Sequence, residues 1–193
     1  MCYRYPNVFS ILLSSVDVWA DCTDVTSPAL KLLAELCQNR QQRLQFEMSS
    51  CSAVLLFREV SKIICTYGTR MLSLPKVSPE IAYKQRYKNI GAMFSVLKVA
   101  LGGSYIPFGI LRLYGDSCLQ DVLDLFIKLF TYISEDDFQS YPKIAQSFHG
   151  VLDFIAADNF CFLSHVKPEV FTAMLRYIQR GAVSLDPIVV SNI

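Results

Sequence analysis

SAVLLFREVSKIICTYGTRML, Ser52 to Leu72, decides the fold. Ala53, Leu56, Phe57, Val60, Ile63, Ile64, Tyr67 and Met71 recur every three or four positions, the period of a helix with one buried face. Arg58, Glu59, Ser61 and Lys62 fall on the other side and are expected to face away from the core. Pro75 stops this helix, and Ser78-Pro79 starts another. Proline suits a first helical position because that N–H has no intrahelical partner, and a preceding serine can accept bonds from the orphan donors that follow. Pro79 to Leu101 then carries a stripe of Tyr83, Tyr87, Ile90, Phe94, Leu97 and Leu101, with Glu80 and Lys84 as an i,i+4 pair in the favourable order. Gly102-Gly103 reads as a left-handed stop.

The same punctuation extends in both directions. Ser27-Pro28 and Asp186-Pro187 pair a capping side chain with proline, and Tyr141-Pro142 and Lys167-Pro168 use the proline alone. Pro6 to Ala20 is expected to be helical on Val8, Leu12, Val16 and Trp19, and Pro28 to Gln38 to be apolar on two faces. Asn39 to Ser50 is polar and reads as a connection, and Ser104 to Gly115 as a short helix tucked into a groove. Asp116 or Ser117 opens a helix buried through Leu119, Val122, Leu123, Phe126, Leu129, Phe130 and Ile133, with Asp124 and Lys128 paired on its polar side. Ser134 caps an acidic first turn, Glu135 to Asp137. Pro142 to Asp158 buries Ile144, Ala145, Phe148, Leu152, Ile155 and Ala156. Pro168 to Arg180 buries Val170, Phe171, Met174, Leu175 and Ile178 and is closed by Gly181; Pro187 opens one more helix. With no strand or hairpin signal, helix pairs at roughly 40–50-residue intervals predict an all-α, HEAT-like helical-repeat solenoid. Residues 1–193 read as a single segment of such an array without separate domains. Neither end has the polar cap that a finished array needs, which reads as a piece of something longer.

Composition removes several functions. Hydrophobic residues make up 52% of the chain and charged residues only 18%, with a mean hydropathy of +0.33. Such a chain either enters a membrane or is covered by more protein. The best membrane stretch, Phe94 to Leu111, is broken by Lys98, Gly102-Gly103, Ser104 and Pro107 and falls short of the roughly 20 apolar residues of a span, so membrane insertion is not expected. A net charge of +1 gives no field for nucleic acid. Seven scattered cysteines, without a C-x-x-C pair, fit reduced thiols in the nucleus or cytosol. The N-terminus lacks the pattern of a secretory signal.

No residue set emerges that would work as a catalyst, and no cofactor or metal is expected. Cys161 and His165 are four apart, but two ligands make half a zinc site. No G-x-S-x-G elbow is present, and Gly102-Gly103 closes a helix, whereas a phosphate cradle opens one. The basic residues Lys84, Arg86 and Lys88, interleaved with Tyr83 and Tyr87, and Arg40 and Arg43 in the polar connection, are the candidate partner-binding residues. For both groups a solvated surface is the simpler reading.

Longer blocks carry a resemblance. SPALKLLAELCQNRQQRLQFEMSSCSAVLLFREVSKIICTYG (Ser27 to Gly68), GSYIPFGILRLYGD (Gly103 to Asp116), LFIKLF (Leu125 to Phe130) and YPKIAQSF (Tyr141 to Phe148) resemble the exportin-7 and Ran-binding protein 16/17 family, within the importin-β superfamily. The resemblance implies an α-solenoid that carries protein cargo through nuclear pores under control of the Ran GTPase. It also implies contacts with nucleoporins, shuttling between nucleus and cytoplasm, and no catalytic residues. Members are several times longer than this chain, which the resemblance therefore presents as an internal fragment or truncated product. Cys51-Ser52-Ala53 and Ser117-Cys118-Leu119-Gln120 depart from the family pattern at two helix starts.

Overall fold

The computed structural model describes residues 7–38, 51–75, 77–103, 106, 108–158 and 160–182. Among them all regular structure is helical. The elements are α1 (Asn7–Val18), α2 (Thr23–Cys37), α3 (Ser52–Ser73), α4 (Pro79–Ala82), a π-helical turn (Tyr83–Tyr87), α5 (Lys88–Gly102), α6 (Phe108–Leu113), α7 (Cys118–Tyr132), α8 (Glu135–Ser140), α9 (Pro142–Asp158), α10 (Phe160–Leu163) and α11 (Pro168–Ala182).

The long helices form two layers. In one, α5 packs between α2 and α9; in the other, α3 packs between α1 and α7. This is the architecture of a helical repeat, one helix of each pair per layer. The first layer's helices start at residues 23, 79 and 142, hence 56 and 63 residues apart, wider than the 40–50 the sequence suggests. The short helices α6 and α8 fall within the second interval and widen it, whereas the first holds only α2, α3 and the stretch of chain that joins them.

Every apolar residue assigned to the face of α3 is buried, from Ala53 to Met71. Ser61 is the exception to that reading: it is buried too, and its hydroxyl donates to the Phe57 carbonyl at 2.8 Å, which removes the cost of burying it. Pro142 and Pro168 start α9 and α11 as expected. Pro79 also takes the first position of its helix, although the Ser78 side chain makes no cap bond. Ser134 is a working cap, accepting from the Asp137 N–H at 3.2 Å.

Ser27-Pro28 does not start a helix. α2 begins earlier, at Thr23, and Pro28 lies inside it. The bond forfeited is to the Asp24 carbonyl, and because Asp24 and Pro28 are exposed, water can serve that oxygen. Ser27 is buried, and its hydroxyl donates to Asn89 Oδ1 at 2.6 Å. Asn89 Nδ2 in turn donates to Thr26 Oγ1 at 2.8 Å and to the Tyr67 hydroxyl at 2.7 Å. This buried network joins α2, α3 and α5.

Gly102 and Gly103 do not form a left-handed stop either. Gly103 has φ −68°, and the described glycine in the left-handed region is Gly115, φ +66°, where the chain turns from α6 to α7. α6 is tucked in only in part: Leu111 is buried and Phe108 meets Phe57 edge-on at 5.1 Å and Phe154 at 5.4 Å, whereas Ile110, Leu113 and Tyr114 are exposed. The centre of the last repeat is a ring stack, with Phe148 parallel to Phe126 at 5.2 Å and to Phe130 at 4.8 Å.

The expectation for the last helix shifts by one face. Leu175 is half exposed and Tyr177 is buried, packed against Phe130, Phe138, Phe148 and His149. Gly181 lies within α11. Trp19 and Ala156, expected inward, are both exposed. Asp124 accepts from Gln120 at 3.1 Å. The helix assigned to Pro187 and the connection Asn39–Ser50 lie outside the described residues.

Candidate functional site

A cleft of about 590 Å³ runs between α3 and α7. At one end of it the two helices touch directly. Gly68 has no side chain, and a Cβ there would come within 2.6 Å of Leu125 Cδ2. Towards the start of both helices the contact is instead polar. Arg58 and Asp116 meet at 3.1 Å across the gap, and both carry solvent-exposed side-chain surface. Glu59 and Lys62 on α3 and Ser117 and Asp121 beside the start of α7 complete the rim.

Several of these groups are already engaged in local structure. Asp116 Oδ1 accepts the Cys118 N–H at 3.0 Å, and that bond, helped by Arg58, holds its carboxyl below the usual range despite partial burial. Asp121 accepts from the Ser117 hydroxyl at 2.8 Å. Both carboxylates thus serve the start of α7. Burial raises the Cys65 thiol to about 11, with the Asp121 charge adding to the rise. Burial and the Asp116 hydrogen bond raise Cys118 to about 12. Protonated thiols are poor nucleophiles and poor metal ligands. The rim of the cleft thus carries charges of both signs.

The basic cluster divides. Lys84 and Lys88 are exposed, four residues apart on one side of the helix. Arg86 is not on that surface; it is only 5% exposed. Its Nε has no acceptor among the described residues, and Nη1 is 3.5 Å from the neighbouring Gln85 carbonyl. The sequence held a signal for this, because Arg86 precedes the buried Ile90 by four residues and so shares its face. Tyr83 stacks on Tyr141 at 4.2 Å, and the Tyr87 hydroxyl donates to Asp137 at 2.8 Å. One face of the Tyr83 ring is thus covered by Tyr141. Arg40 and Arg43 lie outside the described residues.

Cys161 and His165 are both exposed, and His165 Nδ1 lies 2.8 Å from the Cys161 carbonyl oxygen. Among the described residues no three His, Cys, Asp or Glu side chains gather as a metal site, and no helix is long and apolar enough to cross a membrane. The other histidine, His149, is buried and stacks on Tyr177 at 5.5 Å with Nε2 unpartnered among the described residues, and burial lowers its pKa.

No family model matches the chain, and no solved structure matches it. Curated proteins do. Exportin-7-B of Xenopus laevis is 42% identical over 185 residues, which cover 96% of this chain and 17% of that protein. Ran-binding protein 17 of Homo sapiens is 40% identical over 190 residues, 98% of this chain and 18% of that protein. Ran-binding protein 16 of Drosophila melanogaster is 40% identical over 182 residues, 94% of this chain and 16% of that protein. The chain thus spans about a sixth of the length of the relatives it matches. Over the segment it spans, it belongs to the exportin-7 and Ran-binding protein 16/17 family.

Proposed function

We propose that this chain is a segment of a nuclear transport receptor that works by binding proteins and breaks no bonds. The observation that carries the reading is 40–42% identity, over nearly the whole chain, to proteins named as exportins and Ran-binding proteins. The helical layers and the mixed-charge cleft agree with it, since repeat arrays bind partners along extended surfaces. In this reading Ran-GTP, protein cargo and nucleoporins are the partners of the full receptor, which shuttles between nucleus and cytoplasm. Ran-GTP would favour one curvature of the array and so change its affinity for cargo, a coupling between sites. Residues 1–193 would act as one stretch of that array, and Lys84 and Lys88, with Arg40 and Arg43, are its proposed contacts.

The test is capture of the native protein from extract, with Ran locked in its GTP or GDP form. Co-capture of Ran in the GTP form alone supports the transport reading. Ran in neither form, with the native protein captured in full, favours a helical scaffold without Ran dependence. If Ran-GTP is captured, K84E/K88E on the exposed side of the α4–α5 helix should weaken the capture several-fold. An unchanged yield would remove those two lysines from the surface.

A further inference from the structure

Arg86 carries a permanent charge into the interior of the array. Burial can neutralise a lysine or a carboxyl, but a guanidinium keeps its proton and so calls for an anion. Arg58 and Arg70 are each paired with an aspartate. Arg86 is only 5% exposed, and its Nε has no acceptor among the described residues.

Its position on α5 says where it points. Three residues further on, Asn89 bonds Thr26 and Ser27 in the early part of α2. Tyr67, late in α3, meets both Thr26 and Asn89, which fits α3 running antiparallel to α2 and to α5. α2 and α5 therefore run the same way, as α5 and α9 do, where Gly91 faces Ile144 and Lys98 crosses Gly150. One turn earlier on each helix stand Thr23 and Arg86. Helical side chains lean towards the N-terminus, so the guanidinium is carried towards the first turn of α2.

That turn has donors to offer. Cys22 holds the N-cap position without a side-chain cap bond. The N–H groups of Val25 and Thr26 donate to the Cys22 carbonyl, whereas those of Thr23 and Asp24 have no acceptor among the described residues. Uncapped amides at the positive end of a 15-residue helix attract oxyanions.

We propose that the start of α2 and the Arg86 guanidinium form a site for a compact oxyanion of the size of inorganic phosphate. A small ion suits a cation so nearly buried, where a side chain tethered to another backbone would not reach. The ion would tie α2 to α5 beside the Asn89 network. Three carboxylates lie near the start of α2. Asp17 is held by Arg70, while Asp21 and Asp24 are exposed, and Asp24 competes with the ion for the first-turn amides.

The test follows the thermal midpoint of the full chain against inorganic phosphate, with sodium chloride at matched ionic strength as reference. Phosphate stabilises proteins generally by exclusion from their surface, an effect that does not saturate, whereas a site adds a saturating part. The wild type is expected to show that saturating rise. R86M is expected to be no less stable than the wild type without phosphate and to lose the saturating part. D24N should reach half-saturation at several-fold lower phosphate, and K84E/K88E, on the opposite side of the helix, should respond as the wild type does. A second readout needs no variant: one arginine Nε–H signal in nitrogen–proton spectra of the wild type should move along the same curve. An equal, unsaturating rise in wild type and R86M, with no arginine Nε–H signal moving, would overturn the proposal. Loss of the response in K84E/K88E would overturn it too, by assigning the ion to the surface lysines.

Discussion

Asn89 shows how one side chain can set the spacing of three helices. Its amide nitrogen serves Thr26 and Tyr67 and its oxygen serves Ser27, all buried. N89A would leave the buried Ser27 hydroxyl without its acceptor, while Thr26 keeps the Cys22 carbonyl and Tyr67 keeps Thr26, and it is expected to cost about 2 kcal/mol, read as a lower midpoint in urea. Two glycines give an opposed pair of outcomes. Alanine normally improves a helix by roughly 1 kcal/mol over glycine. At Gly102 nothing lies within 4 Å of the added methyl, so G102A should raise the thermal midpoint. At Gly68 the methyl meets the buried Leu125 side chain, and overpacking of roughly 1–3 kcal/mol should outweigh the gain, so G68A should lower it. None of this was legible beforehand. Ser27 beside Pro28 carries the local signature of a cap, and only the tertiary partner on α5 reveals that it is not one.

Among the elements, α3 and α9 were the most legible, because their apolar period is long and their boundaries carry proline or serine. The helix through Pro79 to Gly102 was read correctly in extent, but its π-helical turn was not foreseen; nothing in YKQRY announces it. That turn accompanies the burial of Arg86. A buried guanidinium whose Nε has no acceptor adds little to stability, so R86M should leave the urea midpoint unchanged or raise it. A loss above about 1 kcal/mol would reveal an anionic partner for Arg86. The junction of α9 with α11 is sensitive to acid. His149 has its pKa lowered from 6.5 by burial, so between the folded and unfolded values the unfolded chain binds more protons. Its contribution to stability is complete above pH 6.5 and declines as the pH falls below it. H149F, stacked on Tyr177 in the same way, should flatten that acid limb of the stability curve; an unchanged limb would assign it to the carboxylates.

At the scale of the whole molecule, two helical layers follow from the sequence because each long helix carries an apolar face that it cannot bury alone. The candidate partner surface was legible only in part. Lys84 and Lys88 are exposed as expected, whereas the α3–α7 cleft depends on Gly68 and Leu125 meeting across 57 positions of sequence, which no local pattern encodes. That meeting has a mechanical consequence. Taken as two rigid rods in contact at Gly68, α3 and α7 would open at the Arg58–Asp116 bridge. Ten residues of helix separate Gly68 from Arg58, a lever arm of about 15 Å. A change of 1 Å in the width of the mouth therefore corresponds to a rotation of only about 4°, small enough to leave the packed pivot in register. Whatever competes for Arg58 or Asp116 acts at the long end of that lever.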